Sequence, residues 1–203
     1  MIKTLIFDFG DVFINLNKSN FNKQMYNVFG DISKNQTLLN LLNDYETGNI
    51  NTEAFVKTLK KYNNSFSEDS IIKLWNSIIA DFPYYRVEFL KNLKATSDYK
   101  MILLSNTNEL HINFIKEHVS FFNEFKSCFD KFYLSHEIKL RKPNKEIFHF
   151  VLKSNNISAE ETLFIDDTLE HINTASKLNI KTWWLKQNED ITSLVTVKNN
   201  LLC

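Results

Sequence analysis

Four of the five short apolar runs in this chain stop at a residue able to do chemistry, and that regularity narrows the folds open to it. The runs are Thr4 to Phe7, Met101 to Leu104, Phe132 to Leu134, Leu163 to Ile165 and Thr182 to Leu185. Asp8, Ser105-Asn106, Ser135 and Asp166-Asp167 follow the first four. Unbroken apolar runs of this length read as parallel strands covered on both faces. Helix-patterned stretches separate them, Leu110 to Val119 and Ile147 to Leu152 among them. The alternation predicts an α/β fold with a doubly wound, Rossmann-like parallel sheet. Ligands of such sheets bind outside the carboxyl ends of the strands, so the polar endings are expected to converge on one edge. Several carboxylates converging there without matching cations point to a metal ion.

The interval between the first two runs has a different character. From about Asn15 to Pro83 it offers no buried-strand run, and reads as helices over Phe21 to Phe29, Thr37 to Tyr45, Thr52 to Tyr62 and Glu68 to Ile79. In the last of these, Ile71, Ile72, Trp75, Ile78 and Ile79 recur at helical spacing. Glu46-Thr47-Gly48 supplies a stop and Asn51-Thr52-Glu53 a start. Residues 15–83 are therefore expected to form a helical cap inserted into a core domain of residues 1–14 and 84–203. With 203 residues, 3 Gly and 2 Pro, the chain has length for such a core and few breakers to interrupt its helices.

Composition excludes several classes. Lys+Arg 24 balances Asp+Glu 24, so neither nucleic acid nor an anionic membrane surface is an expected partner. No segment approaches the roughly 18 uninterrupted apolar residues of a membrane span, and Leu5-Ile6-Phe7 stops at Asp8, too early for a signal peptide. A cytoplasmic, soluble protein is expected. Cys128 and Cys203 are too few for a disulfide framework or a zinc site and read as free thiols. The sequons at Asn35, Asn64 and Asn156 read as chance in so Asn-rich a chain.

Four segments occur in an informative order: Ile6-Phe7-Asp8-Phe9-Gly10-Asp11-Val12, Leu103-Leu104-Ser105-Asn106-Thr107-Asn108, Arg141-Lys142-Pro143 leading to Ile147-Phe148, and Phe164-Ile165-Asp166-Asp167. On these the chain resembles the haloacid dehalogenase-like (HAD) hydrolase superfamily, within it the phosphatases with a helical cap after the first strand. The resemblance spans almost the whole chain and implies a hydrolase acting on a small phosphorylated metabolite, such as a sugar phosphate, with Mg²⁺ as cofactor.

Phosphoryl transfer passes through a loose, highly anionic transition state that asks chiefly for positioning and charge stabilisation. Asp8, at a strand end, can attack phosphorus in line and form an aspartyl-phosphate. Ser105 and Asn106 offer a hydroxyl, an amide and backbone N–H groups to phosphate oxygens. Lys142 would set a compact positive charge against nucleophile and phosphate, whereas Arg141 reads as a solvated surface charge. Asp8, Asp166 and Asp167 form an oxygen-ligand set suited to Mg²⁺. The resemblance adds the Gly10 carbonyl to that set and makes Asp167 the more direct ligand of the acidic pair. His136 and His171 read as polar surface groups. Phe13, Tyr45, Trp75, Tyr84 and Arg86 are the candidates for substrate specificity.

One position departs from the pattern. Many phosphatases of this family carry a second Asp two residues after the nucleophile as general acid and base; here that position is Gly10. The Asp-x-Gly arrangement and the segment Asp44-Tyr45-Glu46-Thr47-Gly48 look like a branch resembling α-D-glucose-1-phosphate phosphatase. Losing the acid is worth on the order of 10²–10⁴ in rate, less for an anomeric oxygen that leaves readily. Two other functions stay open: a 2-haloacid dehalogenase, which also uses an Asp nucleophile, and a phosphate-binding or interaction protein without turnover.

Overall fold

The computed structural model describes residues 1–194; the expected free thiol at Cys203 lies outside them. Strands β1 (Thr4–Phe7), β2 (Lys100–Ser105), β3 (Lys131–Leu134), β4 (Thr162–Asp166) and β5 (Lys181–Trp184) form one sheet, with every neighbouring pair parallel. Its order is β3-β2-β1-β4-β5. Between β1 and β2 come α1 (Lys18–Phe29), α2 (Gln36–Glu46), α3 (Thr52–Tyr62), α4 (Glu68–Asn76) and α5 (Tyr84–Thr96). Helices α6 (Glu109–His118) and α7 (Phe122–Ser127) precede β3. Helices α8 (Ser135–Ile138) and α9 (Lys145–Asn155) precede β4, and α10 (Leu169–Ser176) precedes β5.

The order makes β1 central. The chain winds outward through β2 and β3, then returns to lay β4 against the other side of β1, and ligands bind at the crevice such a reversal opens. The Asp8 amide donates to the Ile165 carbonyl at 2.9 Å, which holds the ends of β1 and β4 together beside that crevice. Alternate side chains fill the two faces. Ile6, Ile102, Leu104 and Phe164 pack with Phe148 of α9 and Ile172 of α10. Leu5, Phe7, Leu103 and Ile165 face Leu90 of α5, Ile115 of α6 and a group of phenylalanines.

A third cluster, separate from both, belongs to the inserted helices and contains Met25, Leu38, Tyr45, Phe55, Ile71 and Trp75. Asparagine explains much of how these helices begin. The side chains of Asn17, Asn35 and Asn51 accept hydrogen bonds from the Asn20, Leu38 and Ala54 amides, satisfying N–H groups that have no partner within the helix.

Two connectors tie the insertion to the sheet. Outgoing Asn15 and Asn17 donate to the carbonyls of Asp81 and Ile78 at 2.9 and 2.8 Å, and Ala80 donates back to Asn15 at 3.0 Å. That pairing corrects the expected fourth helix: α4 ends at Asn76, because the Ile78 carbonyl and the Ala80 amide are spent on the outgoing connector, which bridges Leu16 to Ile79. Arg86 clamps the connectors from α5, its Nη1 donating to Phe13 O at 3.1 Å and Asn15 Oδ1 at 2.8 Å. Among the described residues no helix is long and apolar enough to cross a membrane.

Candidate active site

The carboxyl ends of β1, β2 and β4 lie side by side, and each delivers a polar group to the same place. Lys142 is fully buried, its Nζ 2.9 Å from Asp8 Oδ1 and 2.6 Å from Asp166 Oδ2. A buried ammonium is tolerable only when it is paired. Asn106 sets its position: the Asn106 side chain accepts from the Lys142 amide at 2.9 Å and donates to the Lys142 carbonyl at 2.8 Å. The side chain of Asn106 is thus committed to Lys142, and what it can present to a phosphate is backbone.

Asp8, Asp166 and Asp167 offer carboxylate oxygens that all lie within 4.8 Å of one another. That spacing is close to the roughly 4.2 Å across an ideal octahedral Mg²⁺ site, and hard oxygens are the right donors, so the trio fits a small divalent cation. Asp166 is the deepest member, fully buried, and also takes Thr168 N at 2.8 Å and His171 Nδ1 at 3.0 Å. Burial opposes its ionisation, yet Lys142 and His171 hold its carboxyl below the usual range. Burial, aided by the charges of Asp166 and Asp167, pushes Asp8 up to about 7 against the opposing pull of Lys142. Asp167 is more open and pairs at 2.8 Å with Lys18 Nζ, which α1 brings over from the insertion.

A cavity of about 310 Å³ opens over this group, with Asp8, Gly10, Ser105, Asn106 and Asp167 on its core side. Lys142 and Asp166 support it from beneath. The insertion contributes Lys18, Glu46, Ile78 and Ile79. None of the five residues expected to set specificity lines it. Phe13 is packed in the sheet's core, Tyr45 and Trp75 in that of the insertion, while Arg86 clamps the connectors and Tyr84 reaches Glu124 on the surface.

Two further expectations are corrected. Arg141 is not a solvated charge: Nε and Nη2 reach Glu46 Oε2 at 2.8 and 2.7 Å, on the cavity wall. His171 is not a surface group but faces Asp166 and lines the cavity. His136, by contrast, stays out of the cavity, with Nδ1 3.2 Å from the Thr107 carbonyl. Sequence reasoning passed over Lys18 and Glu46 as well. Their only local signals were a Lys in a first helical turn and a Glu before a Thr-Gly stop.

A family model described as haloacid dehalogenase-like hydrolase matches residues 2–179. The chain belongs to the haloacid dehalogenase-like hydrolases. Among its relatives, the D-ribitol-5-phosphate phosphatase of Bacteroides thetaiotaomicron is 25% identical to this hydrolase over 97% of the chain and 98% of the relative. A HAD family enzyme of the same organism, solved in complex with magnesium and inorganic phosphate, is 33% identical with a TM-score of 0.82, covering 96% of this chain and 99% of that one. The L-2-haloacid dehalogenase RSc1362 shares the fold alone, at 15% identity and a TM-score of 0.58 over 91% of this chain and 86% of that one. These relatives bear out the superfamily and do not single out the glucose 1-phosphate branch.

Proposed function

We propose that this hydrolase is a Mg²⁺-dependent phosphatase of a small phosphorylated metabolite, a sugar or sugar-alcohol phosphate, and that it works through an aspartyl-phosphate on Asp8. The observation that carries the reading is the buried Lys142 joining Asp8 to Asp166 within a trio of carboxylates at one cavity. The named activity of the ribitol phosphatase and the magnesium and phosphate in the HAD family enzyme support it.

Lys142 holds Asp8 Oδ1, which leaves Oδ2 to attack phosphorus in line as the bond to the leaving oxygen breaks. Ser105 and the Asn106 backbone would receive the phosphoryl oxygens, and the Lys142 charge would offset their growing negative charge. The departing oxygen takes a proton from solvent, and water then attacks the aspartyl-phosphate, releasing phosphate and regenerating Asp8. Asp8, Asp166, Asp167 and the Gly10 carbonyl would hold Mg²⁺. That ion supplies charge stabilisation to the transferred group. The helical cap, residues 15–83, would close the cavity over a substrate whose phosphate lies on the core residues.

Asp8→Asn is the deciding variant. It keeps shape while removing the nucleophile, and phosphate release from p-nitrophenyl phosphate should fall by at least about 10³-fold. Turnover near that of the wild type would overturn the aspartyl-phosphate reading.

A further inference from the structure

Glu46 ends α2 of the insertion, and Arg141 immediately precedes Lys142, so their contact joins the two sides of the cavity. Both donors of Arg141 that are engaged, Nε and Nη2, go to the same oxygen, Glu46 Oε2. Glu46 Oε1 and Arg141 Nη1 have no protein partner among the described residues. Each residue therefore keeps one polar atom, an acceptor on Glu46 and a donor on Arg141, for a ligand in the cavity that both line.

The pair is not what docks the turn after α2. Ser135 Oγ lies 2.6 Å from the Glu46 carbonyl, and Lys139 Nζ donates to the Gly48 carbonyl at 2.5 Å. Between side chains 27% and 31% exposed, the ion pair adds to that docking without being required for it. Its chemistry suits a ligand better. One hydroxyl can donate to Oε1 while another hydroxyl of the same ligand accepts from Nη1, a demand a polyol meets. Elsewhere on the insertion's wall, Lys18 is taken up by Asp11 and Asp167, while Ile78 and Ile79, with Ile14 and Ile115 of the core, supply apolar surface that fits the C–H faces of a carbon chain. Glu46 and Arg141 offset each other's charge, so the pair offers a second charged group on the substrate no net counter-charge.

Building on the phosphatase reading, we propose that Glu46 and Arg141 form a diol-binding subsite that selects phosphate esters of uncharged, polyhydroxylated carbon chains. The subsite acts through binding, with Asp8 left to do the chemistry.

The test compares ribitol 5-phosphate, n-pentyl phosphate and p-nitrophenyl phosphate on the Mg²⁺-loaded enzyme. The wild type should prefer ribitol 5-phosphate over n-pentyl phosphate in kcat/KM, by about 10- to 100-fold for a lost hydrogen bond to a charged group. Glu46→Gln and Arg141→Gln should shrink that ratio at least several-fold, chiefly through KM for the polyol ester. The exchanged pair Glu46→Arg with Arg141→Glu separates recognition from docking. An exchange that restored thermal stability and the polyol preference together would make the pair a mere latch and overturn the proposal. Restored stability without the preference supports it. Turnover of all three esters with no polyol preference in the wild type would overturn the subsite alone. No turnover of any ester, p-nitrophenyl phosphate included, would overturn the phosphatase reading and the subsite with it.

Discussion

Lys18 Nζ stands 2.8 Å from Asp167 Oδ2, so the first helix of the insertion already presses a cation against the outermost carboxylate of the acidic trio. The same ammonium lies 2.6 Å from Asp11 Oδ2, and although burial opposes it, the two carboxylates raise its pKa and keep it charged. A metal ion taking Asp167 must displace or share with that ammonium. Chelation should abolish phosphatase activity and Mg²⁺ restore it. Lys18→Met should then reach half-maximal rate at a Mg²⁺ concentration lower by up to about fivefold, the scale of a partly exposed ion pair. Asp167→Ala should shift it the other way. Mg²⁺ titrations of chelator-treated protein measure both, and a Lys18→Met enzyme that needed more Mg²⁺ would show that Lys18 assists the site.

His111 of α6 meets the insertion at Trp75. Its Nε2 is 3.1 Å from the Trp75 carbonyl, its Nδ1 is 3.1 Å from Asn108 Nδ2, and its ring stacks on the indole. An Nε2–H tautomer satisfies both bonds, so the neutral ring is the one the site accepts. Burial pushes its pKa down to about 4, outweighing the Trp75 carbonyl, which favours the cation. The unfolded chain, with an ordinary value near 6.5, takes up the proton first as pH falls. The stabilisation is complete above about pH 6.5 and is lost as pH drops toward about 4, by at most about 3 kcal/mol. Urea unfolding at about pH 7.5 and pH 5 should show a larger drop for the wild type than for His111→Gln. Equal drops would mean that His111 does not report on this contact.

How legible all this was depends on how local each signal is. β1 and α3 fall where the sequence places them, because an unbroken apolar run ending in Asp8 and an Asn51 cap are signals written within a few residues. The convergence of Asp8, Ser105 and Asp166 follows from topology, since parallel strands put their carboxyl ends on one edge. The Glu46–Arg141 and Lys18–Asp167 pairs link positions 95 and 149 residues apart, a relation no periodicity expresses. Helix α5 was hidden for a related reason: its buried face includes Arg86, whose partners Phe13, Asn15 and Asp190 lie far along the chain. Tyr45 and Trp75 were expected near substrate, but aromatic residues at helical spacing served the insertion's own core.

Gly48 turns the chain after α2 with φ +65, and a Cβ there would sit 2.0 Å from the His136 carbonyl oxygen. The three atoms nearest to it are all backbone of His136, so the clash cannot be relieved by a side chain swinging away. Gly48→Ala should cost about 2–4 kcal/mol, combining left-handed strain with overpacking. It should also raise KM by displacing Glu46. Gly30, at φ +73 with open space around it, provides the control, since Gly30→Ala carries the conformational cost alone, about 1 kcal/mol. Similar losses at both sites in urea unfolding would show that the turn does not need its contact with α8.

Gly10 stands two residues after Asp8, where the family resemblance leads one to expect an acid, and the neighbouring carboxylate does not replace it. Asp11 adopts φ 52, accepts the Leu16 amide at 2.9 Å through Oδ1 and pairs with Lys18 through Oδ2, so both its oxygens are engaged. Without a positioned proton donor, the leaving oxygen carries the charge that develops as its bond to phosphorus breaks. The rate should therefore depend steeply on leaving-group basicity, with aryl and anomeric phosphates reacting much faster than simple alkyl phosphates. Gly10→Asp should flatten that dependence, recovering up to about 10²-fold on alkyl esters. The structure leaves room for the attempt: a Cβ on Gly10 meets Leu16 Cδ1 at 2.8 Å, the far end of a flexible side chain, and the backbone lies outside the left-handed region. Gly10→Ala adds the Cβ without the carboxyl and so separates crowding of Leu16 from proton transfer. A flat leaving-group series in the wild type would mean that an ordered water or another side chain of the cavity already delivers the proton. Tight binding of phosphate without turnover of any ester would instead make Gly10 the mark of a hydrolase scaffold kept for binding.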